Sequence, residues 1–143
     1  MKKTLTVLGV VIGIGLLLLW GRIFSIPQER PPHPLSDLAT TTAPWAPEIA
    51  NLRTRLTEMG LPTLAKEGSA LHIHQHLDLV VNGATVAVPA NIGVNGAEKF
   101  ISPVHTHDTT GVIHVESNTV RDFTLGQVFD MWGVRFTAEC LGG

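Results

Sequence analysis

The chain has 143 residues, a formal charge of −2 at pH 7 and a hydrophobic fraction of 44%, a size that accommodates one small domain. It holds no basic patch and no basic stripe interleaved with aromatics, so nucleic acid is excluded as an expected partner. All twelve acidic residues but only seven of the ten basic ones lie beyond Phe24, which leaves that part at −5.

Lys2 and Lys3 precede an uncharged, proline-free apolar run over residues 5–20; Arg22 interrupts it, and Ile23, Phe24 and Ile26 extend it before Pro27. A bilayer needs about 20 such residues, and residues 4–24 supply them if Arg22 snorkels to the interface. Residues 1–24 therefore read as a signal-anchor transmembrane helix in contact with membrane lipid. The lysines hold its start in the cytoplasm and send the remainder across. A cleaved signal peptide is the rival reading, but the bulky Leu19-Trp20-Gly21-Arg22-Ile23-Phe24 offers no small-x-small cleavage site.

Residues 25–47 hold Pro27, Pro31, Pro32, Pro34, Pro44 and Pro47 with the run Thr40-Thr41-Thr42, a composition that favours extended backbone and reads as a linker. His33 and Trp45 fall within it and are expected to be solvated or loosely docked. Residues 48–143 then form the exported domain. Pro47 can open a helix over 48–59, with Ile49, Leu52, Leu56 and Met59 on its apolar face and Gly60 as its stop.

Residues 71–81 alternate: Leu71, Ile73, Leu77, Leu79 and Val81 on one face, His72, His74, His76 and Asp78 on the other. Asn82-Gly83 is a two-residue hairpin turn, and 84–88 is the return strand, ending at Pro89. Pairing across it sets Leu79 opposite Val86 and Leu77 opposite Val88. Residues 91–99, with two glycines and two asparagines, read as a loop. A second hairpin joins 104–107 to 112–116 through Asp108-Thr109-Thr110-Gly111, with His105 opposite His114 and His107 opposite Val112. Thr124 caps a helix over 125–132, whose face is Leu125, Val128, Phe129 and Trp132 and whose stop is Gly133. Residues 134–137 form a last short strand. The predicted fold is α+β: a small, mostly antiparallel sheet of two hairpins with one or two covering helices, preceded by the transmembrane helix.

Six of the seven histidines fall between residues 72 and 114. Side chains at i and i+2 of a strand share a face, with Cα atoms about 6.5 Å apart, so two imidazoles so placed can converge on one ion at about 2.0–2.1 Å each. His72-Ile73-His74-Gln75-His76 offers that step twice, His105-Thr106-His107 offers it again, and hairpin pairing brings His114 beside His105. Neutral imidazole suits zinc, copper, iron or nickel. The expectation is that His74, His76, His105, His107 and His114 converge on one metal site, with His72 peripheral. His74, His76 and either His105 or His107 bind directly, and His114 is a ligand or a supporting donor. Asp78 and Glu116 share the histidine face and are the candidate general bases, ligands or acceptors for an imidazole N–H; a solvated strand end is the plainer role for Glu116. Asp108 reads as a turn residue bonding its own backbone. Cys140, the only cysteine, is buried, binds metal or pairs with another chain.

On His72-Ile73-His74-Gln75-His76-Leu77-Asp78, Ser102-Pro103-Val104-His105-Thr106-His107-Asp108 and Gly111-Val112-Ile113-His114-Val115-Glu116-Ser117, the chain resembles an uncharacterised group of bacterial membrane-anchored or secreted His-rich domains. The similarity runs from Gly60 to the Cys140-Leu141-Gly142-Gly143 stretch, and implies an exported domain at the bacterial cytoplasmic membrane without implying an activity. Members of the group continue past that stretch with another cysteine and more strand, which leaves open a disulfide partner for Cys140.

Three functions fit these residues. The first is a membrane-anchored extracytoplasmic domain that captures or delivers copper or zinc through clustered histidines. The second is an extracytoplasmic metalloenzyme with three histidines and one open position. The third is a pH-sensitive interaction domain without metal. The sequence does not identify the metal, a substrate or a protein partner.

Overall fold

The computed structural model describes residues 38–143. The anchor predicted at 1–24, His33 and the first part of the predicted linker lie outside the described residues. Among the described residues no helix is long and apolar enough to cross a membrane.

The elements in chain order are α1 (Leu52–Glu58), β1 (Leu71–His76), β2 (Leu79–Val81), β3 (Ala84–Val86), β4 (Val94–Asn95), β5 (Phe100–Ile101), β6 (Val104–His105), β7 (Val112–Ser117) and α2 (Leu125–Trp132). The domain is α+β, and every strand pair is antiparallel. A three-stranded sheet has the order β1-β7-β6, and β2-β3 and β4-β5 form separate two-stranded ribbons.

The expected single strand over 71–81 is two strands. β1 pairs with β7 along its whole length, from Leu71 opposite Ser117 to His76 opposite Val112, and only β2 turns at Asn82-Gly83 into β3. Alternation reports which face a residue takes but not which strand lies beside it, and here two partners divide one alternating run. Asn82 and Gly83 take φ of 53° and 82°, the positive values a type I′ turn needs. Leu79 faces Val86 as expected. Leu77 does not pair with Val88, because its N–H donates to the Gly111 carbonyl. Val88 lies beyond the end of β3 yet is buried.

In the second hairpin His105 faces His114, as the spacing predicted. His107 is not opposite Val112, because β6 and its ladder with β7 end at the His105–His114 pair. The segment 91–99 is not all loop, since β4 within it pairs with β5. Residues 134–137 make only isolated bridges, Ala39 with Val134 and Phe136 with Leu141.

Helix α1 starts later than predicted, after Asn51, whose N–H bonds back to the Glu48 carboxylate. Ile49 is consequently left exposed, while Leu52, Leu56 and Met59 are buried. Arg55, also on the inner face, pairs with Glu48. Helix α2 has the predicted cap: Thr124 Oγ1 accepts from Gln127 N–H, and Gln127 Oε1 accepts from Thr124 N–H. Val128, Phe129, Met131 and Trp132 are buried, and Leu125, in the first turn, is half exposed rather than part of that face. Full burial of a Leu or Phe side chain contributes about 1.5–3 kcal/mol, so the two helices, packed on each other, supply much of the core.

The linker ends earlier than predicted. Trp45 is buried, meets Trp132 edge-on with ring centroids 6.0 Å apart, and accepts the Trp132 indole N–H at its carbonyl. Ala39 N–H donates to Gly133, and Arg135 N–H returns a bond to Ala39. An extended segment thus closes over α2, and the domain includes it.

Behind the sheet the core lies under β6 and β7, where Val104 and Ile113 are buried. Ile73, expected inside, is 40% exposed. It sits on β1, the edge strand, while α2 packs against β6 at the opposite edge.

Candidate metal centre

The strand period of two puts His72, His74 and His76 of β1, His114 and Glu116 of β7 and His105 of β6 on the sheet face away from Ile113 and Val104. Register arranges them in rows. His74, His114 and His105 cross the three strands side by side, and His72 lies opposite Glu116 in the next row. His107 follows just past β6, with its Nε2 3.2 Å from that of His105.

Burial grades across this face. The His105 side chain is fully buried and that of Glu116 is 2% exposed, while His72, His74 and His107 are 57%, 51% and 44% exposed. Glu116 is therefore not a solvated strand end. It is a carboxylate at the floor of a ring of imidazoles. Its Oε1 lies 3.0 Å from His114 Nδ1, 3.4 Å from His72 Nε2 and 3.6 Å from His74 Nε2. Its Oε2 is buried without a hydrogen-bond partner among the described residues, 3.9 Å from His105 Nε2. Such an orphaned acceptor costs about 1–3 kcal/mol, which a cation offsets.

Hydrogen bonds set the tautomers. His105 Nδ1 is 3.0 Å from the Ser102 carbonyl and must donate to it. Burial pushes His105 down to about 4, aided by His107 and His114 and opposed by the Ser102 bond and Glu116. The ring is therefore neutral at pH 7, with its lone pair on Nε2. Burial pushes the Glu116 carboxyl up, but the hydrogen bond from His114 and the imidazoles of His105 and His72 outweigh it, and the net shift is downward. An ionised Glu116 accepts a hydrogen bond from His114 Nδ1, which leaves Nε2 as the ring nitrogen that Glu116 does not engage. A carboxylate or carbonyl holding one ring nitrogen so that the other can bind is how proteins orient metal-binding histidines.

The described residues contain three groups able to hold a metal ion: His105, His107 and His114; His72, His74 and Glu116; and Glu67, His105 and Glu116. Within each, one ligand atom per residue lies within 4.8 Å of the others. Two ligands of a tetrahedral ion at about 2.0–2.1 Å are about 3.3 Å apart. The Nε2 atoms of His105 and His107, and those of His72 and His74, are each separated by 3.2 Å.

The structure thus joins His105, His107 and His114 as expected of neighbours, and puts His74 with His72 rather than with His76. His72, expected at the periphery, is part of a group. His76 stands apart: its Nε2 donates to the Thr110 carbonyl at 3.0 Å, and its Nδ1 lies 3.7 Å from Asp78. Asp78 is 86% exposed and touches none of the three groups. Asp108 binds the Thr110 N–H and hydroxyl, and those bonds hold its carboxyl below the ordinary range. Cys140 belongs to none of the groups.

Two participants carried no signal in the spacing. Glu67 lies 3.2 Å from His107 Nε2 and arrives on the loop before β1. Its neighbour Gly68 passes so close to β7 that a Cβ there would stand 2.2 Å from the Ser117 carbonyl carbon. Ser102 acts through its backbone, which no side-chain motif reveals. Compared with known family models, curated proteins and solved structures, the chain matches none.

Proposed function

We propose that the domain is an extracytoplasmic transition-metal-binding module, held at the bacterial cytoplasmic membrane by residues 1–24, that captures or delivers zinc or copper. The observation that carries this reading is the pinning of His105 by Ser102 and of His114 by Glu116 through their Nδ1 atoms, in a group that also holds His107. The donors are nitrogen and oxygen. Met59 and Met131 are buried in the core, and no thiol joins the groups. This set suits Zn(II) and Cu(II) rather than Cu(I).

Elemental analysis of the full chain, purified in detergent and dialysed against zinc or copper, tests the reading. At least one ion per chain is expected, and a His105→Ala/His107→Ala variant is expected to lose at least one. A wild-type chain that retains neither metal overturns it. The location is tested separately by a reporter fused after Gly143, expected to be active only outside the cytoplasm.

A metalloenzyme is the second reading, favoured by the exposure of His107, His72 and His74. An ion beside them keeps a side open to water, as catalytic centres do.

A further inference from the structure

Glu116 belongs to two of the three groups, and its two oxygens face different histidines. Oε1 accepts from His114 Nδ1 and also lies beside His72 and His74, and the partnerless Oε2 is nearest His105. The three atoms His72 Nε2, His74 Nε2 and Glu116 Oε1 form a triangle with sides of 3.2, 3.4 and 3.6 Å. A triangle of those sides has a circumradius of about 2.0 Å, so one point is equidistant from all three at the ordinary zinc–nitrogen and zinc–oxygen bond length.

We propose that this face holds two divalent ions bridged by Glu116: one on His105, His107 and His114, the other on His72, His74 and Glu116 Oε1. The inference rests on the metal-binding reading above and adds a second site to it. Sheet register supports it, because His72 opposite Glu116 and His74 opposite His114 are fixed by the β1–β7 ladder rather than by flexible loops. Charge supports it as well. The carboxylate buried on the floor of this face, Glu116, sits between the two groups, where it screens one cation from the other, and paired metal sites have ions about 3.5–4 Å apart. His72 and His74 are more than half exposed, so water completes the second ion's coordination.

The test is a Cu(II) titration of the full chain in detergent, following bound copper per chain and integrated electron paramagnetic resonance. A His33→Ala/His76→Ala background removes the two histidines outside both groups. Two bound Cu(II) are expected. The first gives full signal, and the second reduces the total, because spins joined by one carboxylate couple. His72→Ala/His74→Ala, which alters only exposed side chains, is expected to bind one Cu(II) with an uncoupled signal and an unchanged near-ultraviolet circular dichroism spectrum. Glu116→Gln is expected to lose the coupling and to bind the second ion at least tenfold more weakly. One ion in the background protein, or two with fully additive signal, overturns the bridged pair while leaving the single-ion reading standing. No bound copper overturns both.

Discussion

His105 is the residue whose chemistry depends most on its place in the fold. Its ring is fully buried and hydrogen-bonded to Ser102, and burial lowers its pKa from 6.5 to about 4. Between those values the unfolded chain carries a proton on this ring that the folded chain does not, so folding stability falls as pH drops through that window. At about 1.4 kcal/mol per pH unit the loss approaches about 3 kcal/mol. Below the ordinary glutamate range Glu116 acts in the same direction: its lowered pKa contributes stability above that range, lost as pH falls through the folded value. Urea unfolding in chelator at pH 7 and pH 4.5 should therefore show a weaker protein at the acid point. A His105→Gln variant should show a flatter profile between them; an equal slope in both proteins would assign the acid sensitivity elsewhere. The same burial is what makes the ring a competent ligand, since it keeps Nε2 unprotonated at neutral pH.

Among the elements, β7 organises the site because it is the central strand. It carries His114 and Glu116, pairs with His74 and His72 on one side, and pairs with His105 on the other. Helix α2 supports it from behind, packed on β6, and depends on its first turn. The Gln127 N–H is shared between the Thr124 carbonyl and hydroxyl, and Gln127 Oε1 accepts from the Thr124 N–H, so the groups at the helix start are satisfied locally. Thr124→Ala should cost about 1 kcal/mol, visible as a lower urea midpoint with an unchanged slope. A loss below about 0.3 kcal/mol would mean that water replaces the cap at that end, well under the usual cost of a lost cap. Because α2 reaches the metal face through β6 and through Met131, whose sulfur accepts from the Ser102 hydroxyl at the far end of the helix from Thr124, metal stoichiometry should be unaffected.

At the scale of the whole molecule, the segment from Ala39 to Pro47 is part of the domain. Trp45 packs edge-on against Trp132, which stacks on Phe129 at 5.7 Å. Trp45→Ala should cost about 3–5 kcal/mol, the usual range for removing a buried aromatic, measured by thermal unfolding of the full chain. A change under about 1 kcal/mol, far below that range, would show the segment to be a loosely held tether after all.

Much of this was legible in the chain itself. The alternation of residues 71–81, the Asn82-Gly83 turn, the Thr124 cap and the pairing of His105 with His114 all depend on neighbours a few residues apart, and local chemistry decides them. Period-two spacing likewise put the histidines and Glu116 on one face. What only the tertiary structure decided is which strand lies beside which. The chain gives β1 the same alternation whether it pairs with β3 or with β7, and the choice of β7 sets His72 opposite Glu116, brings His74 to His114 and leaves His76 outside. Docking of Trp45, the arrival of Glu67 and the burial that turns Glu116 from a strand end into a floor carboxylate follow from contacts between segments far apart in sequence. Their selection depends on the total apolar surface the chain can remove from water, a property of the assembled core and not of any local run of residues.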